Sequence, residues 1–181
     1  MIKRNPYNVE VWAFDEHRIG LQPIIKRVYA PRGWQPIVSV NPRYEWLYVY
    51  AFVHPNSGRS VWYLLPSLNA AAFQVVLEDF AQDVLSSSGK RVLIVLDNAA
   101  WHKAKVLCVP EGLEFVFLPA YSPELQPAER LWALCDETVA NRCMGSFEAL
   151  ESALCVQCEC LMRDTGRVRA QTLFHWWPRN C

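Results

Sequence analysis

The sequence predicts an α/β fold, a mixed β-sheet flanked by α-helices, and three observations carry that prediction. Continuous apolar runs such as Val92–Leu96 are strand-sized and bounded by polar or turn residues. Apolar residues spaced by threes and fours mark helices between and after these runs. Three early strands, then a helix, then two more strands is the order expected when a crossover helix carries the chain across a sheet. At 181 residues the chain fits one domain, 1–181, large enough to bury its own core.

Val9–Phe14 alternates loosely, then turns continuously apolar like a buried strand, and reads as ending at Asp15-Glu16. From Ile24 to Val40, Pro31, Gly33 and Pro36 interrupt any regular element, so this stretch is a β-excursion or loop. Trp46–Val53, aromatic and β-branched, reads as a central strand. His54-Pro55-Asn56-Ser57-Gly58 is a turn, and Ser60–Leu65 completes a hairpin. Asn69 is a suitable N-cap for a helix whose apolar positions Ala72, Phe73, Val76, Leu77, Phe80 and Val84 share a face. Ser86-Ser87-Ser88-Gly89 stops it. Arg91–Leu96 is the clearest buried strand and ends at Asp97, and Leu113–Leu118 is a short strand ending at Pro119. A helix is predicted over Ala128–Asn141, with Pro127 near its first turn, and another after the N-cap Ser146, over Phe147–Arg163.

Composition narrows the functional classes. The chain is 52% hydrophobic and 20% charged, ordinary values for a soluble globular protein. Its apolar runs are too short to span a bilayer, and the basic start Met1–Pro6 has no apolar segment after it to make a signal peptide, so a cytoplasmic location is expected. Seven cysteines, an odd number at irregular spacing, do not make a disulfide framework. Cys155 and Cys158 are placed on one helix face and Cys160 on another; without a second ligand pair these read as buried reduced thiols rather than a zinc site. The net charge is zero, a poor basis for phosphate neutralisation, although residues 1–60 hold eight Lys/Arg against four Asp/Glu. No glycine-rich phosphate loop is present, which argues against nucleotide hydrolysis by that route.

Asp15 and Asp97 each follow a buried apolar run, where a carboxylate is costly unless paired, solvated in a cleft or bound to a metal. Ligands of such sheets collect at the carboxyl ends of strands. Glu129, at a helix start after a Pro-rich loop, could swing over the same strand ends. Oxygen-only donors suit Mg²⁺ or Mn²⁺ rather than zinc. Glu16, Glu124 and Asp136 are nearby acids that could be mistaken for the ligands; Glu124 reads as solvated, and Asp136, two helical turns after Glu129, could share its face.

Three segments, Phe14-Asp15-Glu16, Leu96-Asp97-Asn98-Ala99-Ala100-Trp101-His102 and Tyr121-Ser122-Pro123-Glu124-Leu125-Gln126-Pro127-Ala128-Glu129-Arg130-Leu131-Trp132, together resemble the DDE transposases of bacterial insertion sequences in the mariner superfamily. Ala30-Pro31-Arg32-Gly33 and Tyr44-Glu45-Trp46-Leu47-Tyr48-Val49 support the resemblance, which runs from about Val9 to the Phe174–Pro178 tail. It implies a ribonuclease H-like fold and a catalytic, metal-binding triad of Asp15, Asp97 and Glu129, with two Mg²⁺ or Mn²⁺ ions. Asp15 would bridge both ions, Asp97 would bind one and Glu129 the other, for two-metal phosphoryl transfer. Hydrolysis would free the ends of the element, and their 3′-hydroxyls would then attack target DNA at TA dinucleotides. Thirty-one residues separate Asp97 from Glu129, slightly fewer than is usual in the superfamily.

Asn98 and His102 are supporting candidates: Asn98 could fix the Asp97 carboxylate or the strand end, and His102 could contact the scissile phosphate or orient a ligand. Trp12, Trp46, Trp62 and Trp132 read as core; Trp101 and Trp34 are better placed for DNA, with Arg32, Arg43, Lys103 and Lys105 as phosphate contacts. The resemblance further implies double-stranded DNA (element ends and target) as partner, a homodimer, and association with the nucleoid when on DNA. Full-length relatives carry an N-terminal helix-turn-helix region. None precedes the first strand here, so a separate helix-turn-helix polypeptide is an expected partner, and this chain alone is expected to bind DNA weakly and without selectivity. The alternatives are an idle or domesticated transposase fragment acting through protein contacts, and a paired-carboxylate hydrolase that needs no metal.

Overall fold

The computed structural model describes residues 9–85 and 90–178. Five strands, β1 (Val9–Gly20), β2 (Trp46–His54), β3 (Arg59–Leu65), β4 (Arg91–Leu96) and β5 (Leu113–Phe117), form one sheet in the order β3-β2-β1-β4-β5. β1, β2 and β3 are antiparallel neighbours, whereas β4 lies parallel to β1 and β5 parallel to β4. The crossover from β3 to β4 is α1 (Ala70–Val84), capped by Asn69, whose Oδ1 accepts the Ala72 N–H at 2.9 Å. After β5 come α2 (Glu129–Cys135), α3 (Phe147–Arg163, capped by Ser146) and α4 (Thr165–Thr172, capped by Asp164).

Strand alternation sorts the core into two layers. Trp12, Phe14, Tyr50, Phe52, Ile94 and Leu96 meet Phe73, Val76, Leu77 and Phe80 of α1, with Phe52 and Phe80 stacked at 3.8 Å between ring centroids. Val11, Ala13, Val49, Ala51, Val53 and Val95 meet Leu131, Leu134, Leu150, Leu154, Leu161 and Val168 on the opposite face. The hairpin turn closes on Gly58, whose φ of 75° only glycine adopts freely.

Several expectations are corrected. β1 does not end at Asp15-Glu16 but continues to Gly20, because Glu16–Gly20 pair with Trp46–Tyr50 of β2 and Ile19 is buried. The Trp46–Val53 strand lies inside the sheet as expected, between β3 and β1, and β1 is the middle strand. Of the two readings of Ile24–Val40, β-excursion or loop, the loop is the one found. The helix predicted over Ala128–Asn141 stops at Cys135 and tightens into a 3-10 turn at Asp136–Thr138, where Asp136 is anchored by His17 and Lys26. α4 was not predicted: its sequence is polar and buries only Val168 and Thr172. Cys158 is buried, whereas Cys155 and Cys160 are exposed, so only one of the three is a buried thiol. Trp12, Trp62 and Trp132 are core; Trp46 is half-buried. The Ser86–Gly89 breaker and the Met1–Pro6 start lie outside the described residues. Among the described residues, no helix is long and apolar enough to cross a membrane.

Candidate active site

β1 and β4 run parallel and in register as far as Ala13 and Val95. Two residues further, on the same side of each strand, stand Asp15 and Asp97, one inside β1 and the other just past the end of β4. Beyond this level β1 pairs with β2 alone, so the sheet splits. Gln126 fills the split: its buried Nε2 donates to the Phe14 carbonyl at 2.9 Å and reaches the Val95 carbonyl at 3.5 Å. The chain then runs through Pro127-Ala128 into α2, with Glu129 in its first turn. All three carboxylates line one cleft of about 390 Å³, walled on the far side by Pro119, Tyr121 and Pro123.

The three acids differ in environment. Asp15 is buried, and its Oδ2 accepts the indole N–H of Trp132 at 2.8 Å. Burial, reinforced by the charges of Glu129 and Glu16, pushes its carboxyl well above the usual range despite that bond. Glu129 is solvent-reachable; desolvation by its surroundings and the charge of Asp97 still raise it, against the opposing pull of His17. Asp97 goes the other way. His102 Nδ1 meets its Oδ1 at 2.9 Å and the Ala99 N–H donates to the same oxygen at 2.9 Å, and the imidazole bond in particular holds it below the usual range. Two raised acids around a third are the electrostatic mark of negative charge gathered without a counter-charge. As the side chains stand, no three His, Cys, Asp or Glu among the described residues are close enough together to hold a metal ion; the cleft gathers the three carboxylates without closing them on one point.

Two hydrogen-bonded networks support these acids from opposite faces of the sheet. On the α2 face, Trp132 stacks on His17 (centroids 5.0 Å apart, 17° between planes), and His17 Nε2 and Lys26 Nζ each meet the Asp136 carboxylate at 3.0 Å. Asp136 is therefore an ion-pair anchor outside the cleft, held below the usual carboxylate range by those two bonds against the effect of burial. On the α1 face, Glu16 Oε1 accepts the Trp101 indole N–H at 2.9 Å and meets His102 Nε2 at 2.8 Å. Burial would depress the His102 imidazole, but its bonds to Asp97 and Glu16 push it up to about 9.

Asn98 fixes the strand end, not Asp97: its Nδ2 donates to the Leu118 carbonyl beyond β5, and its Oδ1 accepts from Lys103. Lys103 also lies over the Phe117 ring. Trp101 is half-buried with its N–H engaged by Glu16, while Trp34 is exposed in the loop between β1 and β2. Arg32 and Arg43 lie exposed in that same loop, and Lys103 and Lys105 are exposed in and just after the 3-10 turn Ala100–Lys103. None of these four basic residues lines the cleft itself. Glu124 is exposed, as expected. The roles of Glu16, Gln126 and Trp132 are not visible in composition or periodicity. The one signal for Glu16 in the sequence is alternation: on a β1 that runs past Asp15, Glu16 falls on the face opposite Asp15.

Residues 10–151 match the family described as "DDE superfamily endonuclease". Among curated proteins, "Uncharacterized protein y4pE/y4sA" of Sinorhizobium fredii (strain NBRC 101917 / NGR234) is 28% identical over 136 residues, 75% of this chain and 99% of its own. Among solved structures, the Mos1 mariner paired end complex with Mn aligns at a TM-score of 0.61 and 22% identity, over 90% of this chain and 53% of that one. The catalytic domain of Mos1 mariner transposase aligns at 0.55 and 19% identity, over 96% of this chain and 87% of that one. The chain thus spans about half the length of the Mos1 chain in that complex. The likeness shows the fold: a mixed five-stranded sheet flanked by helices in the ribonuclease H-like arrangement.

Proposed function

This chain belongs to the DDE superfamily of endonucleases, and on that premise we propose that it is the catalytic domain of a DNA transposase, cutting phosphodiesters at element ends and joining them to target DNA. The observation that carries the reading is the convergence of Asp15, Asp97 and Glu129, from the central strand, the end of its parallel neighbour and the first turn of a helix, on one cleft. Their donor chemistry fits hard divalent cations: every donor is a carboxylate oxygen, and Asp15 and Glu129 are raised in part by neighbouring negative charge that a cation would offset. Asp15, Asp97 and Glu129 would hold Mg²⁺ or Mn²⁺, two ions being the expected number. Bound there, such ions supply Lewis-acid stabilisation of phosphoryl oxygens and lower the pKa of attacking water.

The protein's own part is orientation. Trp132 holds one oxygen of Asp15, while His102 and the Ala99 N–H hold one oxygen of Asp97, leaving its other oxygen without a described protein partner. Glu129 rides on the rigid start of α2, set by the Gln126 wedge. Double-stranded DNA would be held by Arg32, Arg43, Lys103 and Lys105, with Trp101 at the margin of the site. Joining at TA dinucleotides, action as a homodimer and supply of end recognition by a separate helix-turn-helix polypeptide belong to the same proposal; a net charge of zero leaves this chain little sequence-independent affinity of its own.

Nicking of supercoiled plasmid in Mn²⁺ tests the core of it. Wild type should nick, chelator should stop it, and Asp97→Ala should lower the rate at least about a hundredfold. Nicking that persists in chelator, or is unchanged in Asp97→Ala, overturns the proposal. Transfer of an oligonucleotide 3′-hydroxyl into a TA-containing target tests the joining step separately.

A further inference from the structure

We propose that Glu16 is a positioning residue of the cleft: from the opposite face of the sheet it fixes the His102 ring, and through that ring the Asp97 carboxylate. The inference rests on the metal-site reading above and goes beyond it, since Glu16 holds no position in the cleft. Glu16 directly follows Asp15, and strand alternation turns the two side chains to opposite faces. Its carboxylate is nearly sealed, at 5% side-chain exposure, yet has no Lys or Arg partner among the described residues; what it meets instead are the Trp101 indole N–H at 2.9 Å and His102 Nε2 at 2.8 Å, both on Oε1. A buried carboxylate of this kind is costly unless its hydrogen bonds are made, and here they all converge on the segment that follows Asp97.

The His102 side chain is fully buried, with its ring against Phe14 at 5.6 Å and Phe73 at 4.8 Å. The aromatic neighbours restrict the ring plane; the two carboxylates fix its rotation, Nε2 to Glu16 and Nδ1 to Asp97 Oδ1 at 2.9 Å. Among the described residues both hydrogen-bond contacts of Asp97 therefore fall on Oδ1, and the carboxylate of this otherwise exposed residue is held in one orientation with Oδ2 left to the cleft. An exposed carboxylate without such a tether samples several rotamers, and ordering it on binding carries an entropic cost. Partners that orient a ligand in this manner change metal affinity by about 10–100-fold when removed.

The test compares wild type, Glu16→Gln and Glu16→Ala, with Glu10→Gln as a control acid on the same strand and face. Mn²⁺ affinity is measured by electron paramagnetic resonance of the free ion, and the His102 ring nitrogens are followed by ¹⁵N NMR without metal. Glu16→Gln should weaken Mn²⁺ binding about tenfold and shift both His102 ring resonances, and Glu10→Gln should do neither. Glu16→Ala should weaken binding at least as much; if it does not fold, Glu16→Gln alone decides. Wild-type Mn²⁺ affinity with unshifted His102 resonances in Glu16→Gln overturns this inference and leaves the metal site standing. No Mn²⁺ binding by wild type overturns the metal-site reading itself, and this inference with it.

Discussion

Asp15 is the residue that fold stability would not choose. It sits among buried side chains on the central strand, with Glu129 and Glu16 adding negative charge to the cost of its own burial. Its folded-state pKa is raised above the unfolded value, so its contribution to stability is most favourable below the unfolded carboxyl pKa and is lost as pH rises through the folded one. Asp15→Asn keeps an oxygen for the Trp132 indole and removes the charge. Without divalent metal at pH 7, this substitution should raise stability by about 0.5–2 kcal/mol, and the gain should shrink as the solution is made acid. Mn²⁺ should raise the melting temperature of wild type and leave that of Asp15→Asn unchanged, while nicking is lost. Urea unfolding across pH, with and without Mn²⁺, measures all three, and an Asp15→Asn protein less stable than wild type at neutral pH would show the buried charge to be compensated within the fold.

At the scale of elements, the hairpin turn packs tightly on α4 at a glycine. Gly58 closes the turn between β2 and β3 with φ 75°, and a Cβ there would stand 1.9 Å from the backbone carbonyl oxygen of Thr165, at the start of α4. Both the left-handed conformation and the clash with main chain oppose any side chain, so Gly58→Ala should destabilise by more than the ~1 kcal/mol of the conformation alone; equilibrium unfolding checks it. The same elements separate what was legible in the sequence from what was not. β4, β5, the hairpin and α1 with its Asn69 cap follow from apolar runs, turn residues and a three-four periodicity, since each signal lies within the element itself. The length of β1 does not, because Glu16, His17 and Arg18 look like a strand end until β2 pairs with their backbone, Trp101 and His102 meet Glu16, and Asp136 meets His17. α4 is set by the Asp164 cap and by packing of Val168 and Thr172, with no apolar stripe to announce it. In the site, the order of Asp15, Asp97 and Glu129 was readable from motifs. The partners that orient them, Trp132, Glu16 and Gln126, were not, since each depends on contacts across roughly a hundred positions of chain that only the sheet brings together.

For the whole molecule, charge is the quantity that most constrains how it meets DNA. Lys and Arg equal Asp and Glu at 18 each, and three of the acids line the cleft, so approach of a phosphate backbone is opposed where the chemistry would take place. On the proposed reading, attraction would come from the periphery: Arg32 and Arg43 on the loop after β1, and Lys103 and Lys105 in and just after the 3-10 turn that follows β4. If these four make the phosphate contacts, counterion release sets the slope of log K against log salt at about −3.6 on duplex DNA, from roughly −0.9 per contact. The affinity should be weak near physiological salt, with little difference between unrelated sequences, because phosphate contacts carry no base information. Removing two contacts with Arg32→Ala and Arg43→Ala should flatten the slope by about 2 without altering the fold, both residues being exposed on a loop. Divalent cation should strengthen binding beyond its screening effect only if it occupies the acidic cleft, so Mn²⁺ should tighten DNA binding of wild type more than that of Asp15→Asn. Fluorescence anisotropy of a labelled duplex across a salt series, with chelator or Mn²⁺, measures slope and metal effect together; a slope unchanged by the double substitution would place the DNA on another face of the sheet.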